Sequence, residues 1–350
     1  MTIFDPKRIT RPEVNAVLDR IERVRAESRD LFLADPANRE IDLGQLWAKV
    51  QDGNQRWFRG ENVTGLLTFE EQEYLARLHR FAVEYRADHL EDFNPIPEDV
   101  EIRPIDAGGV PAELQIASHS HTNRTILYFH GGGYIMGSPH FMRSLSVKLA
   151  EATGSRTLSV DYRLAPEHPF PAGIEDCIAA YRWLLESGIE SRDIVVAGDS
   201  AGGYFTLQTL IRARDQGLDP PAGAVCICPA TNLAFTGGSQ ITNAPIDPVL
   251  ADIGIFWWNE AYLAGVDPLE AAVSPLFADL SDLPPILIQV STTEMLLDDA
   301  RMFHEKATDV GVDVTLQTWE DTVHVFQAFA LPEAAEAIDR IGNFTAKFWS

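Results

Sequence analysis

Apolar residues recur at three- and four-residue steps near the start of the chain, at Val14, Val17, Leu18, Ile21 and Val24. This spacing predicts an amphipathic helix over 11–35, with Pro12 in the first turn, where its missing N–H is no loss. A polar loop at 35–38 follows, and Leu43, Leu46, Trp47 and Val50 mark a second helix within 41–58. Thr68-Phe69-Glu70-Glu71 has the form of a capping box and opens a third helix through about residue 89, with Leu75, Leu78, Phe81 and Ala82 facing inward. The chain up to about residue 95 therefore reads as helices without a strand. Asn94-Pro95-Ile96-Pro97 closes the segment, because the residue before each proline is pushed to extended geometry.

From residue 100 the texture changes. Strand candidates at 100–105, 112–117, 125–129, 157–161, 194–197, 223–228, 286–290 and 312–319 make eight, and the first two flank a hairpin turn at Asp106-Ala107-Gly108-Gly109. Helix-like stretches at 141–152, 173–186, 201–215, 299–310 and 333–348 lie between or after them. Strands this apolar, alternating with helices, predict an α/β fold: a mostly parallel sheet covered on both faces. Residues 237–275 interrupt the alternation with an aromatic-rich helical stretch at 256–262. Such an excursion would sit over the carboxyl ends of the strands, where open α/β sheets bind ligands.

Composition narrows the partners. Among 350 residues, 52 acidic against 28 basic side chains leave a net charge of −24, which disfavours nucleic acid and anionic membrane surfaces. Three cysteines, Cys177, Cys226 and Cys228, form no disulfide framework. The alternation of a strand would put Cys226 and Cys228 on one face, as small core residues rather than metal ligands. The expectation is a reduced, cytoplasmic protein. The stretch Met1-Thr2-Ile3-Phe4-Asp5-Pro6-Lys7 has no apolar signal region, and no run reaches the ~18 apolar residues of a membrane span.

The candidate chemistry centres on Gly198-Asp199-Ser200-Ala201-Gly202-Gly203, between a buried strand and a helix. A serine on so sharp a turn is pushed out at the end of the sheet, and the flanking glycines relieve crowding by neighbouring backbone. Ser200 is thus the candidate nucleophile. A hydroxyl needs a base, an oriented base needs a carboxylate, and the oxyanion needs waiting donors. The strand at 125–129 runs into His130-Gly131-Gly132-Gly133, whose bare backbone at Gly132 and Gly133 can approach a ligand, joined by the N–H of Ala201. His130 reads as holding that loop. Of nine histidines, His324 follows the last strand in a loop and is the candidate base; His119, His121, His140 and His168 fall in other loops, and His79, His89 and His304 on helix surfaces or ends. Glu294, four residues past the strand at 286–290, is the first choice of carboxylate. Asp298 is the second, since Asp298 and Asp299 look like the cap and first turn of the next helix.

His130-Gly131-Gly132-Gly133, then Asp161-Tyr162-Arg163-Leu164-Ala165-Pro166-Glu167-His168-Pro169-Phe170-Pro171-Ala172, then Gly198-Asp199-Ser200-Ala201-Gly202-Gly203 resemble the bacterial hormone-sensitive-lipase family of carboxylesterases. The resemblance covers about residues 100 to 350 and rests on three motifs in the family's order. It implies an α/β-hydrolase with a helical cap: an N-terminal cap segment at 1–98 and a catalytic domain at 99–350 carrying a second cap excursion at about 237–275. It implies hydrolysis of short-chain carboxylic esters through an acyl-enzyme, with Asp161 and Asp199 supporting loop geometry. Many members have Asp where Glu294 stands, and the N-terminal segment exceeds a typical cap contribution. The expected partner is a small-molecule ester, with no metal or organic cofactor; homodimerisation is left open. An amidase or peptidase with the same triad, and a binding protein of the same fold, are the alternatives. Trp47, Trp57, Phe58, Phe256, Trp257 and Trp258 are candidates for lining an acyl pocket.

Overall fold

The apolar runs of the second half assemble into one sheet in a computed structural model that describes residues 9–90, 93–121, 123–251 and 254–349. The Met1–Lys7 stretch read for a targeting signal lies outside the described residues. The strands are β1 (Glu101–Asp106), β2 (Pro111–Ile116), β3 (Thr125–Phe129), β4 (Arg156–Val160), β5 (Ile194–Asp199), β6 (Gly223–Ile227), β7 (Ile286–Ser291) and β8 (Val314–Trp319). They lie in the order β1-β2-β4-β3-β5-β6-β7-β8. The first two are antiparallel, as the hairpin predicts, and the other six run parallel.

Every residue of β3, β5, β6 and β7 is buried, because helices cover both faces. On one face lie α5 (Ala172–Glu186), α6 (Ala201–Asp215) and α9 (Leu297–Asp309), against Leu127, Phe129, Val196 and Ile288. On the other lie α4 (Arg143–Thr153) and α10 (Pro332–Thr345), against Ile126, Tyr128, Val195 and Val225.

The helical opening folds as α1 (Pro12–Ala34), α2 (Leu43–Phe58) and α3 (Phe69–His89). The capping box at the start of α3 forms reciprocally: Thr68 accepts from the Glu71 N–H while Glu71 accepts from the Thr68 N–H. The excursion after β6 holds the short α7 (Ser239–Thr242) and α8 (Ile255–Leu263), and α2 packs on α8 so closely that a Cβ at Gly53 would meet Phe256 at 2.4 Å. Among the described residues, no helix is long and apolar enough to cross a membrane.

Three local expectations fail. Phe81 is 40% exposed rather than inward, its ring leaning on Phe32 at the helix edge. His79 does not sit on the surface: it is packed beside Trp257 and Trp258, and burial lowers its pKa to about 4. Cys226 and Cys228 do not share a face. Cys228 lies just past β6 with φ of 47°, a left-handed turn that sends it into the cluster with Val225, opposite Cys226.

Candidate active site

Ser200 occupies the turn between β5 and α6, with φ 55° and ψ −118°, a backbone conformation a side chain rarely takes. Tight packing holds it there. A Cβ at Gly198 would meet the Gly202 carbonyl oxygen at 2.3 Å, and one at Gly202 would meet the Phe129 carbonyl oxygen at 1.9 Å, so neither position admits a side chain. The Ser200 N–H donates to Ile227 O at 2.7 Å, tying the turn to the end of β6.

The glycine turn after β3 faces this serine across a common cleft. Asp199 accepts from the Gly131 N–H at 3.0 Å and from the Tyr128 hydroxyl, fixing the start of the turn. Burial raises the Asp199 carboxyl to about 6, with Tyr128 and then His324 pulling the other way. His130 pairs through Nδ1 with Gly131 O at 2.8 Å, and the Tyr162 hydroxyl donates to His130 O at 2.5 Å. With burial pushing its pKa to about 4, His130 is a neutral brace. Beyond this anchored residue the N–H groups are unspent. Among the described residues, those of Gly132, Gly133 and Ala201 donate to no protein acceptor. Gly132 has φ 130° and Gly133 φ 58°; a Cβ on Gly133 would meet Trp258 at 2.0 Å.

Glu294 and His324 meet in the loops that follow β7 and β8. Glu294 is fully buried, its Oε2 lies 2.5 Å from His324 Nδ1, and its Oε1 accepts from the Ser291 N–H at 2.8 Å and the Cys228 thiol at 2.9 Å. Burial lowers the His324 pKa, but the Glu294 charge and hydrogen bond outweigh it, and Asp247 and Asp199 add to them; the net shift is upward. Nδ1 is thus engaged, which leaves Nε2 for a substrate-side partner. Among the described residues, no hydrogen bond joins the Ser200 hydroxyl to His324 in this structure. Catalytic contacts are often longer before substrate arrives.

Asp298 is not brought to His324. Its carboxylate accepts from the Ser239 N–H at 2.7 Å, fastening α7 to α9, and Asp299 likewise accepts from the Thr231 and Asn232 N–H groups. Asp298 therefore caps α7 of the excursion and Asp299 the loop just after β6, rather than their own helix, whose N-cap is Leu296. Asp161 also departs from its expected role: its side chain is exposed, and among the described residues makes no hydrogen bond. Asp176 holds that loop instead, accepting from the Arg163 N–H and guanidinium at 2.8 Å.

Cys228 was not singled out for the site. Its Sγ, a Glu294 oxygen and a His324 ring nitrogen lie within 4.8 Å of one another, a spacing a metal ion would also fit. Burial first, and the Glu294 charge second, push the thiol pKa well up, so Cys228 is a protonated donor to Glu294 rather than a thiolate ligand. Its place just past a central parallel strand was the available signal, since ligand groups gather there. The cleft beside Ser200 has a volume of about 450 Å³, counting space open to solvent. Of the six aromatic candidates, only Trp258 lines it. The other five lie elsewhere in the helical packing.

A family model described as the alpha/beta hydrolase fold matches residues 126–328. An acetyl-hydrolase of Streptomyces hygroscopicus is 44% identical over 223 residues, covering 63% of this chain and 75% of that protein. An esterase of Acinetobacter venetianus is 36% identical over 260 residues, covering 73% and 86%. Among solved structures, EstE5 soaked with ethyl alcohol superposes with a TM-score of 0.75 at 38% identity, covering 86% of this chain and 98% of that one. An esterase from the bacterial hormone-sensitive lipase family superposes with a TM-score of 0.74 at 38% identity, covering 89% and 100%.

Proposed function

The chain belongs to the α/β-hydrolase family, in its bacterial hormone-sensitive-lipase group, and we propose that it is a serine carboxylesterase that cleaves small-molecule esters through an acyl-enzyme. The observation that carries this reading is the meeting of Ser200 at one cleft with the unspent N–H groups of Gly133 and Ala201, with that of Gly132 unspent one residue earlier in the same turn. An ester carbonyl beside Ser200 would turn its oxygen toward them as negative charge develops, and preorganised donors of this kind are worth about 10²–10³-fold each in rate.

In this reading His324 takes the Ser200 proton at Nε2 as the serine oxygen attacks. Glu294 holds the ring by Nδ1 and offsets the positive charge formed, which the 2.5 Å separation supports. The imidazolium then gives its proton to the departing alcohol. Water, activated by the same nitrogen, attacks the acyl-serine and frees the acid. The helices of 1–98 and the excursion at 237–275 act as a cap over the catalytic domain at 99–350, with Trp258 of α8 lying against the oxyanion turn. Asp298 serves the fold of this cap, as its bond to Ser239 supports.

Turnover of p-nitrophenyl acetate and butyrate, wild type beside Ser200→Ala, tests the reading. The variant is expected to lose at least roughly 10⁴-fold in kcat/KM. Equal rates from the two proteins would overturn it.

A further inference from the structure

The cleft beside Ser200 is walled in large part by apolar side chains such as Leu233 and Leu250, yet four of its residues carry buried polar atoms without a partner. Among the described residues, Asn232 Oδ1, Asn259 Oδ1, Trp258 Nε1 and the Tyr134 hydroxyl make no hydrogen bond. Four such atoms on one cleft form a pattern, because a buried polar group left unpaired opposes folding, and native interiors pair nearly all of them.

The roles of these atoms are constrained. Asn259 Nδ2 donates to Leu233 O at 2.8 Å, and a carbonyl oxygen can only accept, so the amide cannot be turned round and Oδ1 stays an acceptor. Asn232 Nδ2 donates to Thr236 Oγ1 at 2.8 Å, and its backbone N–H is held by Asp299 at 2.9 Å, which fixes that side chain's base. Trp258 Nε1 can only donate, and the Tyr134 hydroxyl can do either. The Thr236 hydroxyl can donate as well as accept, so the Asn232 amide can present either end, and the set offers one fixed acceptor, one fixed donor and two adaptable groups. Trp258 touches the oxyanion turn with the six-membered part of its indole, where a Cβ on Gly133 would meet Cε3 at 2.0 Å, so the residue that carries this donor packs beside the turn while Nε1 lies on the other side of the ring.

We infer that the cleft is built for esters bearing a neutral group that both donates and accepts hydrogen bonds, a hydroxyl or a carboxamide, a few bonds from the scissile carbonyl. A plain alkyl chain would leave all four buried polar atoms unpaired. An anionic substituent would face the fixed Asn259 oxygen in a chain of net charge −24. The inference rests on the esterase reading and adds the substrate class to it.

The test compares matched esters: p-nitrophenyl butyrate with its β-hydroxylated analogue for the acyl side, and butyl acetate with a hydroxybutyl acetate, followed by titration of released acid, for the alcohol side. The hydroxylated member of at least one pair is expected to be preferred roughly tenfold in kcat/KM, about what one or two added hydrogen bonds supply. Asn259→Leu, close in size but unable to accept, is expected to bring that ratio to about one or below. Because the readout is a ratio within one protein, partial loss of folded enzyme does not mimic it, and the wild-type ratio needs no variant. Wild-type ratios near one in both pairs, or a preference that Asn259→Leu leaves intact, would overturn the inference while leaving the esterase intact. No turnover of any ester would instead sink the esterase reading itself.

Discussion

Ser200, Glu294 and His324 are held by different kinds of force, and each answers differently to substitution. The Ser200 turn is steric: Gly198 and Gly202 leave no room for a Cβ, so Gly202→Ala is expected to prevent the elbow from closing and to yield little folded protein, read by near-ultraviolet circular dichroism. The Glu294–His324 pair is electrostatic. His324 must be unprotonated to act as a base, and its raised pKa means that this form is lost as pH falls through a midpoint above the ordinary value of about 6.5. The acid limb of kcat/KM is therefore expected above that value. In Glu294→Gln the charge that lifts it is gone and burial pulls the midpoint down, while kcat falls by about 10³–10⁴-fold. Asp298→Asn is expected to retain most activity and to cost about 1 kcal/mol of stability through the weakened Ser239 bond. A larger kcat loss from Asp298→Asn than from Glu294→Gln would move the carboxylate's role. Residues such as Ser200 and Gly133 could be found in the sequence because their constraint is local to a short motif. Cys228 is signalled only by its place at the end of a central strand, and the left-handed turn at its own position breaks the alternation from which its face was read.

At the scale of elements, the sheet and its helices were readable because period-two and period-3.6 patterns reflect burial on one side of a strand or helix. The contacts that aim the loops were not, since they join residues far apart in the chain. The His324 loop is the plainest case. Asp321 and Val325 on either side of it have φ of 55° and 54°, and the Thr322 carbonyl oxygen accepts from Ser291 and Thr293. Thr10, at the entry to α1, donates its N–H to Asp321 at 3.0 Å and its hydroxyl to the other carboxylate oxygen, while Val14 and Val17 share an apolar cluster with Val323 and Phe326. The first helix thus braces the loop that carries His324, the proposed base. Asp321→Ala removes both acceptors and strains a left-handed position, so kcat is expected to fall about tenfold with KM little changed. Asp321→Asn tolerates that conformation, keeps one acceptor, and is expected to restore most of the rate. Equal kcat in wild type and Asp321→Ala would confine the α1 contact to stability. The Glu294 loop is braced from the other side. Asn243 Nδ2 donates to Glu294 O at 2.8 Å and Asp247 accepts from the Met295 N–H at 2.9 Å, so the excursion that borders the cleft also steadies the carboxylate.

Over the whole molecule, 52 acidic side chains repel one another against only 28 basic ones. Many ion pairs that offset this repulsion are exposed, as with Arg29–Asp30 and Arg192–Glu190, and such pairs contribute about 0–1 kcal/mol each. Salt acts on the two effects unequally. Raising ionic strength from roughly 0.01 M to 1 M shortens the screening length from about 30 Å to about 3 Å, which removes long-range repulsion while leaving contacts of 2.6–3.3 Å partly unscreened. The thermal midpoint is therefore expected to rise with sodium chloride, by a few degrees for each kcal/mol relieved in a chain of this size. The Glu294–His324 contact is buried at 2.5 Å and shielded from ions by the protein around it, so kcat at a fixed pH on the plateau is expected to stay level over the same series. A falling midpoint would mean that the exposed pairs outweigh the surplus negative charge, and a kcat that follows the salt would mean that the Glu294–His324 pair is open to solvent during turnover.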